Sequence, residues 1–364
     1  VTTGVRGDRR FDTMAPLRFG SVRTPSGRMF SAETERSVAM ANESDPLSLT
    51  SITETYKVNG RAWTSTFTKA TGIVTTLTPT GRQSTTTLDA KGAIASMQVP
   101  GLASATLSYD SHGRVTSVQA GSRTFGMFYN DRGEIDHVTD PMLRTTSYEY
   151  DAAGRVKRQI LPDTRSIDFT YDENGNLTSV SPPARPAHVF SHAVSDLVDR
   201  YTPPTATPGG VTQYLYNRDR QLTLVTRPDG STITPGYDTA GRLATLSTPQ
   251  GTYRYGYAST SGMLSSMTEP GGNSLTYAYD GNLVTNVQWT GAISGSVSYQ
   301  FDNDFRVSNE NGTSYQYDPD GLLIGVGALS LTYHPQNGLL TGTALASITD
   351  SYVYNEFGEV THYS

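Results

Sequence analysis

Apolar and aromatic side chains alternate with small polar ones over short runs along most of this chain. Ile167, Phe169 and Tyr171 form one such run; Thr146, Tyr148 and Tyr150, Leu275, Tyr277 and Tyr279, Tyr253, Tyr255 and Tyr257, and Val297, Tyr299 and Phe301 form others. A period of two predicts strands with one face turned from water. No segment carries a convincing helical period. The runs end at a recurring pair: Tyr109-Asp110, Tyr150-Asp151, Tyr171-Asp172, Tyr237-Asp238, Tyr279-Asp280 and Tyr317-Asp318, with relaxed copies at Tyr129-Asn130, Tyr216-Asn217, Phe301-Asp302 and Tyr354-Asn355. Most neighbouring copies lie 20 to 22 residues apart, the mark of a repeat architecture.

A glycine follows the Asp three residues later at Gly113, Gly154, Gly175, Gly241 and Gly321. An Asp opening a type I turn and a glycine able to take positive φ predict a hairpin closed by a glycine bulge. Pro100, Pro141, Pro162, Pro228 and Pro270 each precede a repeat tyrosine by nine residues and mark the other turn. One unit is then two strands of about seven residues joined by alternating turn types, and some thirteen units make about 26 strands. At about 4.8 Å per strand the ribbon is about 125 Å wide, so it must coil, close or stack. Tyrosine is abundant (22 residues) and aliphatics are sparse, which favours a long curved all-β sheet with a hollow or groove over a sandwich with a dry core.

Tyr150-Asp151-Ala152-Ala153-Gly154-Arg155-Val156, with Tyr109 to Val115, Tyr171 to Leu177 and Tyr237 to Leu243, resembles the Y-D-x-x-G-R-[LV] signature of the Rhs/YD-repeat family. That family includes bacterial Rhs polymorphic toxins, the B and C components of Tc insecticidal toxins, and animal teneurins. The resemblance covers roughly residues 60 to 364 and implies a repeat-built β-shell that, in the bacterial toxins, encloses a C-terminal effector. On it the structural residues of the repeat are Tyr109, Asp110, Gly113, Arg114, Tyr150, Asp151, Gly154, Arg155, Tyr171, Asp172, Gly175, Tyr237, Asp238, Gly241, Arg242, Tyr317, Asp318 and Gly321. Arg114, Arg155 and Arg242 are each expected to reach an Asp or Tyr of the neighbouring hairpin.

Several positions depart from the signature. Arg220 and Phe305 replace the turn glycine, Tyr257 has an extra residue before Gly262, and Asp280-Gly281 reads as a two-residue hairpin. Spacing falls to 16 between Phe301, Tyr317 and Tyr333, which predicts two shorter units. The family's D-P-x-G elements and self-cleaving aspartates are not visible, and the chain starts at Val1 without methionine, so it reads as a segment of a larger protein. Residues 1-55 are expected to be degenerate repeats or a strand-rich entry segment, and 56-364 the shell segment. Thr24-Pro25-Ser26-Gly27-Arg28 echoes Thr78-Pro79-Thr80-Gly81-Arg82. An irregular Pro/Gly-rich insertion at about 181-213 predicts a degenerate unit around Phe190 with a protruding loop.

Composition narrows the chemistry. A net charge of −6 with interspersed signs argues against nucleic acid, no apolar run is long enough for a membrane span, and zero cysteines exclude disulfides and thiol chemistry. His188, His192 and Asp196 stand four apart, but flanking prolines and strand-like surroundings read against metal ligation, and one carboxylate per unit is too few for calcium. Arg6-Gly7-Asp8 and the sequons at Asn42, Asn176 and Asn311 read as chance matches, and Gly325-Val326-Gly327 as a turn rather than a dinucleotide site. No catalytic residues, cofactor or metal are expected. The functional expectation is a non-enzymatic shell wall, secreted or at the cell surface of a bacterium. Its partners would be a C-terminal toxin or effector cargo of the same parent protein and a secretion apparatus. The alternatives are a glycan- or receptor-binding adhesion module and a cell-surface fibre of stacked repeats.

Overall fold

The computed structural model describes residues 2–8, 12–42, 44–204 and 210–364. Among these the chain is almost wholly β: thirty-four strands and one short 3-10 turn, Pro46–Ser48, opened by Asp45, whose carboxylate accepts from the Leu47 N–H at 2.9 Å. Strands pair antiparallel with their neighbours in sequence and do not close into a barrel. Thirty-four strands exceed the expected 26 or so because most are five or six residues long rather than seven, and because strands also run through the first 55 residues. Leu49–Val58 crosses that expected boundary while pairing with Met29–Met40 on one side and Arg61–Thr68 on the other.

Two compact units divide the chain. The first comprises Val1–Thr124, Tyr279–Asn286 and Val297–Ser364, the second Phe125–Ala278 and Val287–Ser296. In the second unit the register sorts the alternating residues cleanly. Phe169, Val180 and His188 lie side by side across three strands, as do Phe190, Tyr201 and Thr212, then Tyr214, Val225 and Ile233, and Pro235, Leu246 and Tyr253. The reverse face carries Thr170 beside Ser179, Ser191 beside Arg200 and Gln213, and Thr234 beside Ser247 and Thr252. One face is mainly aromatic and aliphatic, the other mainly polar, with Val189 and Leu215 exposed among its hydroxyls.

Among the described residues Val58 is the one buried apolar side chain, at 9 % exposure; the buried polar ones are Thr24 and Asp280. A dry core is therefore not what holds these strands; ladder hydrogen bonds and cross-strand pairs on a half-wetted sheet do.

The turns correct one expectation. Most Tyr-Asp turns and six of the Pro turns are not alternating types but share one five-residue design, in which the first N–H bonds the fifth carbonyl and the fourth N–H bonds the first; the turn at Pro100, left-handed at its third residue Gly101 (φ +82°), stands outside it. Asp151 to Arg155 (2.9 and 3.2 Å) and Leu161 to Arg165 (2.8 and 2.9 Å) follow it equally. The fourth residue is left-handed in every turn of this design. Gly154 takes φ +79°, Arg220 and Phe305 take +63° and +62°, and Leu143 and Thr164 on the Pro side take +60° and +69°. Turn geometry is dictated by the ladder, so it persists where glycine is lost.

A second correction concerns Asp280, which ends the strand Ser274–Asp280 and leaves Gly281 and Asn282 as the two-residue turn before Leu283–Thr290. The short spacing after Phe301 arises because two-residue turns replace five-residue ones: Glu310 pairs with Thr313, and Val326 with Leu329. Gly325 and Val326 are strand residues, with Gly327 in the turn. His188–His192 and Val198–Thr202 form the degenerate hairpin around Phe190. The loop expected after it falls largely on residues 205–209, outside the described residues. Arg6, Gly7 and Asp8 lie in the strand Thr2–Asp8.

Candidate functional site

Each repeat corner is a small, fully connected device. Asp151 Oδ1 accepts from the N–H groups of Ala153 (2.9 Å) and Arg155 (3.0 Å), and Oδ2 accepts from Arg155 Nε at 2.7 Å. Asp110 with Arg114 and Asp238 with Arg242 repeat this pattern, and Asp172 does so with Asn176. The hydrogen bonds from Arg155, backbone then guanidinium, hold the Asp151 carboxyl below the usual range, as the Arg114 backbone N–H first does for Asp110.

In five of the pairs the tyrosine donates its hydroxyl to a backbone carbonyl of the preceding corner. Tyr109 reaches Ile94 O (2.8 Å), Tyr150 Ile135 O (2.8 Å), Tyr171 Val156 O (2.9 Å), Tyr237 Leu222 O (2.9 Å) and Tyr317 Val307 O (2.9 Å). The acceptor is the aliphatic residue that closes the signature. Burial raises the phenol pKa of Tyr150 and Tyr317 above its ordinary value.

The arginine completes the link. Arg155 stacks its guanidinium over the Tyr171 ring at 4.6 Å and donates Nη1 to Asp172 O at 3.1 Å; Arg242 lies over Tyr257 at 4.3 Å and Arg306 over Tyr317 at 4.2 Å. It also passes close to the next turn glycine, since a Cβ on Gly175 would stand 3.6 Å from Arg155 Nη1 and one on Gly321 3.3 Å from Arg306 Nη1. Glycine here supplies both the left-handed φ and the room.

Within the first unit a second arrangement brings distant turns together along a seam. Asp280 inserts its carboxylate into the turn 24–28: Oδ1 accepts from Ser26 N at 2.8 Å, and Oδ2 from the Ser26 hydroxyl and from Arg28 Nη1 at 3.1 Å. Asp320 does the same at 78–82, accepting from Thr80 N at 2.9 Å, from Thr78 Oγ1 at 2.7 Å, and from Thr80 Oγ1 and Arg82 Nη1. Between them Asp304 takes Asn59 Nδ2 and Arg61 Nη2, and Phe30 packs on Phe305 at 5.6 Å. Further along, Ala103 N donates to Glu356 O (2.6 Å), Asn337 Nδ2 to Pro100 O (3.3 Å), and Arg123 makes a two-pronged ion pair with Glu359 (2.7 and 2.9 Å) while stacking on Phe357 at 3.8 Å.

The seam keeps strict count. The turn between the second and third strands meets the end of the twenty-fifth, the fourth and fifth meet the twenty-seventh and twenty-eighth, and the sixth and seventh the twenty-ninth and thirtieth. The eighth and ninth meet the thirty-first and thirty-second, and the tenth and eleventh the thirty-third and thirty-fourth. The offset is 23 strands for each of these pairs, with bonds such as Ala103 N to Glu356 O and Arg28 Nε to Phe301 O reaching one hairpin further on, and the Pro-turn edge faces the Tyr-Asp edge.

Three carboxylates at the seam, Asp280, Asp320 and Glu359, are held ionised. Hydrogen bonds from the Ser26 hydroxyl and backbone lower Asp280; burial alone would raise Asp320, but hydrogen bonds from Thr80, Thr78 and Arg82 outweigh it; the Arg123 guanidinium and Asn355 bring Glu359 to about 2.

Reading the signature alone missed this seam. Its signal was present in the echo of 24–28 by 78–82, and in Leu322, which replaces the corner arginine and leaves Asp318 Oδ2 to accept from Arg82 at 3.0 Å instead. His188, His192 and Asp196 do not converge. His188 shares a 2.7 Å hydrogen bond with the Tyr201 hydroxyl, Asp196 accepts from Asn174 and Asn176, and no metal-binding group of three occurs among the described residues. His188, Phe190, Val198, Tyr201, Tyr214 and Tyr216 instead line an open cavity of about 550 Å³ on the aromatic face.

Family comparison decides the relationship, because the teneurin YD-shell model matches residues 20–364. The chain belongs to the teneurin YD-shell family. No curated relative matches it in sequence. Among solved structures, the Photorhabdus luminescens Tc holotoxin pore is similar at TM-score 0.53 and 13 % identity, over 95 % of this chain and 24 % of that one. TcdB2-TccC3 without its hypervariable C-terminal region is similar at TM-score 0.46 and 13 % identity, with the same coverage. The chain thus spans about a quarter of the solved chains it matches, and at this identity the likeness to the holotoxin pore is one of fold. The shell-type family suggests a structural role for the chain. No helix among the described residues is long and apolar enough to cross a membrane.

Proposed function

We propose that this chain is a stretch of the wall of an Rhs-type shell, non-enzymatic in this segment, that encloses a C-terminal toxin or effector of the same protein and is exported with it. The seam carries this reading. A meander whose two turn edges dock on each other winds back on itself rather than lying open, which suits it to walling off a volume. The aromatic face of the second unit adds support: a single-layer sheet leaves Phe190, Tyr201 and Tyr214 half-exposed, a surface able to hold a passenger through stacking and hydroxyl contacts without requiring it to fold.

The test is cryo-electron microscopy of the full-length protein with its native termini. Density for a separate C-terminal fragment inside a repeat-built wall is the expected result. An empty wall with ligand or receptor bound on an outward aromatic face would overturn the enclosure reading in favour of adhesion, and end-to-end stacks would favour a fibre.

A further inference from the structure

Six Pro turns share one backbone design, with proline second and a left-handed residue fourth: 24–28, 78–82, 140–144, 161–165, 227–231 and 269–273. Their side chains fall into two groups. Turns 24–28 and 78–82 carry hydroxyls at positions one and three, Thr24 with Ser26 and Thr78 with Thr80, and an arginine at position five. Both receive a carboxylate from a turn 23 strands further on, in the same way: the third N–H binds Oδ1, while the third hydroxyl and the arginine bind Oδ2.

The other four turns each carry one acid of their own at position one or three: Asp140, Asp163, Asp229 and Glu269. That acid is satisfied inside its turn. Asp140 Oδ1 accepts from Met142 N (2.9 Å) and Arg144 N (3.0 Å) and Oδ2 from Arg144 Nε (2.6 Å). Asp163 takes Arg165 Nε at 2.7 Å, Asp229 the Ser231 N–H at 2.9 Å, and Glu269 the Asn273 amide. In the Asp140 turn, the third N–H that binds Asp280 or Asp320 in the receptive turns is already occupied by the turn's own acid.

We propose that positions one, three and five of the Pro turn are a docking code for a carboxylate presented by a Tyr-Asp-edge turn. Hydroxyls with arginine make the turn a receptor for that carboxylate. An internal acid repels an incoming one, and in the Asp140 and Asp163 turns it also occupies the third N–H or the arginine that would bind it, which closes the turn to docking. The code sets the register of the seam: slipping the later strands by two places would bring Asp280 to the Asn59-Gly60 turn, which lacks both hydroxyls, and Asp320 to the turn at Pro100, which lacks the arginine.

The experiment is a double-mutant cycle on the full chain, read by apparent melting temperature and by amide hydrogen exchange at residues 77–83 and 316–322. Thr80→Asp gives the receptive turn the acid found at Asp163 and Asp229. It is expected to lower the melting temperature by several degrees and to raise exchange at both segments, while Thr80→Asp with Asp320→Asn recovers at least half of the loss. Asp229→Thr, in a closed turn, is expected to leave the melting temperature within 1 °C or so. Equal loss with and without Asp320→Asn, or no loss at all, overturns the proposal. If Thr80→Asp alone does not fold, folding of the double variant supports the code and failure of both overturns it.

Discussion

At the scale of single residues the Tyr-Asp signature is a set of three contacts, one inside the corner, carboxylate to turn, and two between successive corners, phenol to carbonyl and guanidinium to ring. Tyr171→Phe removes the hydrogen bond to Val156 O and leaves that carbonyl without its partner. About 1 kcal/mol of stability should go with it, seen as a lower urea midpoint at unchanged slope; a midpoint equal to wild type would show the bond to be replaced by water. Arg155→Ala takes away the stacking on Tyr171 and the bond to Asp172 O together, again at about 1 kcal/mol, with local exchange at Asp151 to Gly154 rising first. The partners of these side chains were legible from spacing, since residues at matching points of successive hairpins lie side by side. The phenol's acceptor was not, because a carbonyl belongs to every residue and leaves no mark in composition.

The hairpin is the next scale, and here turn backbone proves more constant than turn sequence. Arg220 sits at φ +63° in a corner where most copies have glycine, and no side-chain bond holds it there among those described. Arg220→Gly should therefore stabilise by about 1 kcal/mol, as relief of left-handed strain outweighs the added freedom of the unfolded chain. Phe305→Gly at the equivalent position should gain nothing, because the same change removes the ring packed on Phe30. Urea midpoints of the two variants, measured side by side, separate backbone strain from packing; a lower midpoint for Arg220→Gly would refute the strain account. Strand existence and the glycine-marked turns could be read from alternation and from Asp-x-x-Gly. The shared design of the two edges could not, since Leu161-Pro162-Asp163-Thr164 and Asp151-Ala152-Ala153-Gly154 look unlike until their backbones are compared.

Across the whole molecule, several of the contacts between residues far apart in sequence rest on ionised carboxylates. Asp280, Asp320 and Glu359 all have folded-state pKa values below their unfolded ones. Their contribution is complete above the unfolded values, near 4 to 4.5, and is lost as pH falls through the folded ones, toward about 2 for Glu359. Exchange protection at 24–28, 78–82 and 355–359 should fall over that window while the local Tyr-to-carbonyl bonds persist. Protection constant down to pH 2 would show that the seam does not depend on ionised carboxylates. Sequence gave little warning of these contacts because partners more than 230 residues apart obey no local period; only the repeated Thr-Pro-x-Gly-Arg and the missing arginine at Leu322 hinted that some turns have business elsewhere.

The constant offset of 23 strands also makes the chain a counting device. Lengthening a loop within residues 29–124 leaves the order of the docked turns unchanged, but inserting or deleting one hairpin there, with no matching change in 297–364, moves every later pair of turns out of step by two strands at once. Residues that bind Asp304, Asp320 and Glu359 would then face the wrong turns together, so variation in the number of copies is penalised collectively, whereas variation in their sequence is penalised one at a time. Repeat number in these two stretches is thus expected to change only in step, with hairpins gained or lost singly where no later strand has to find them.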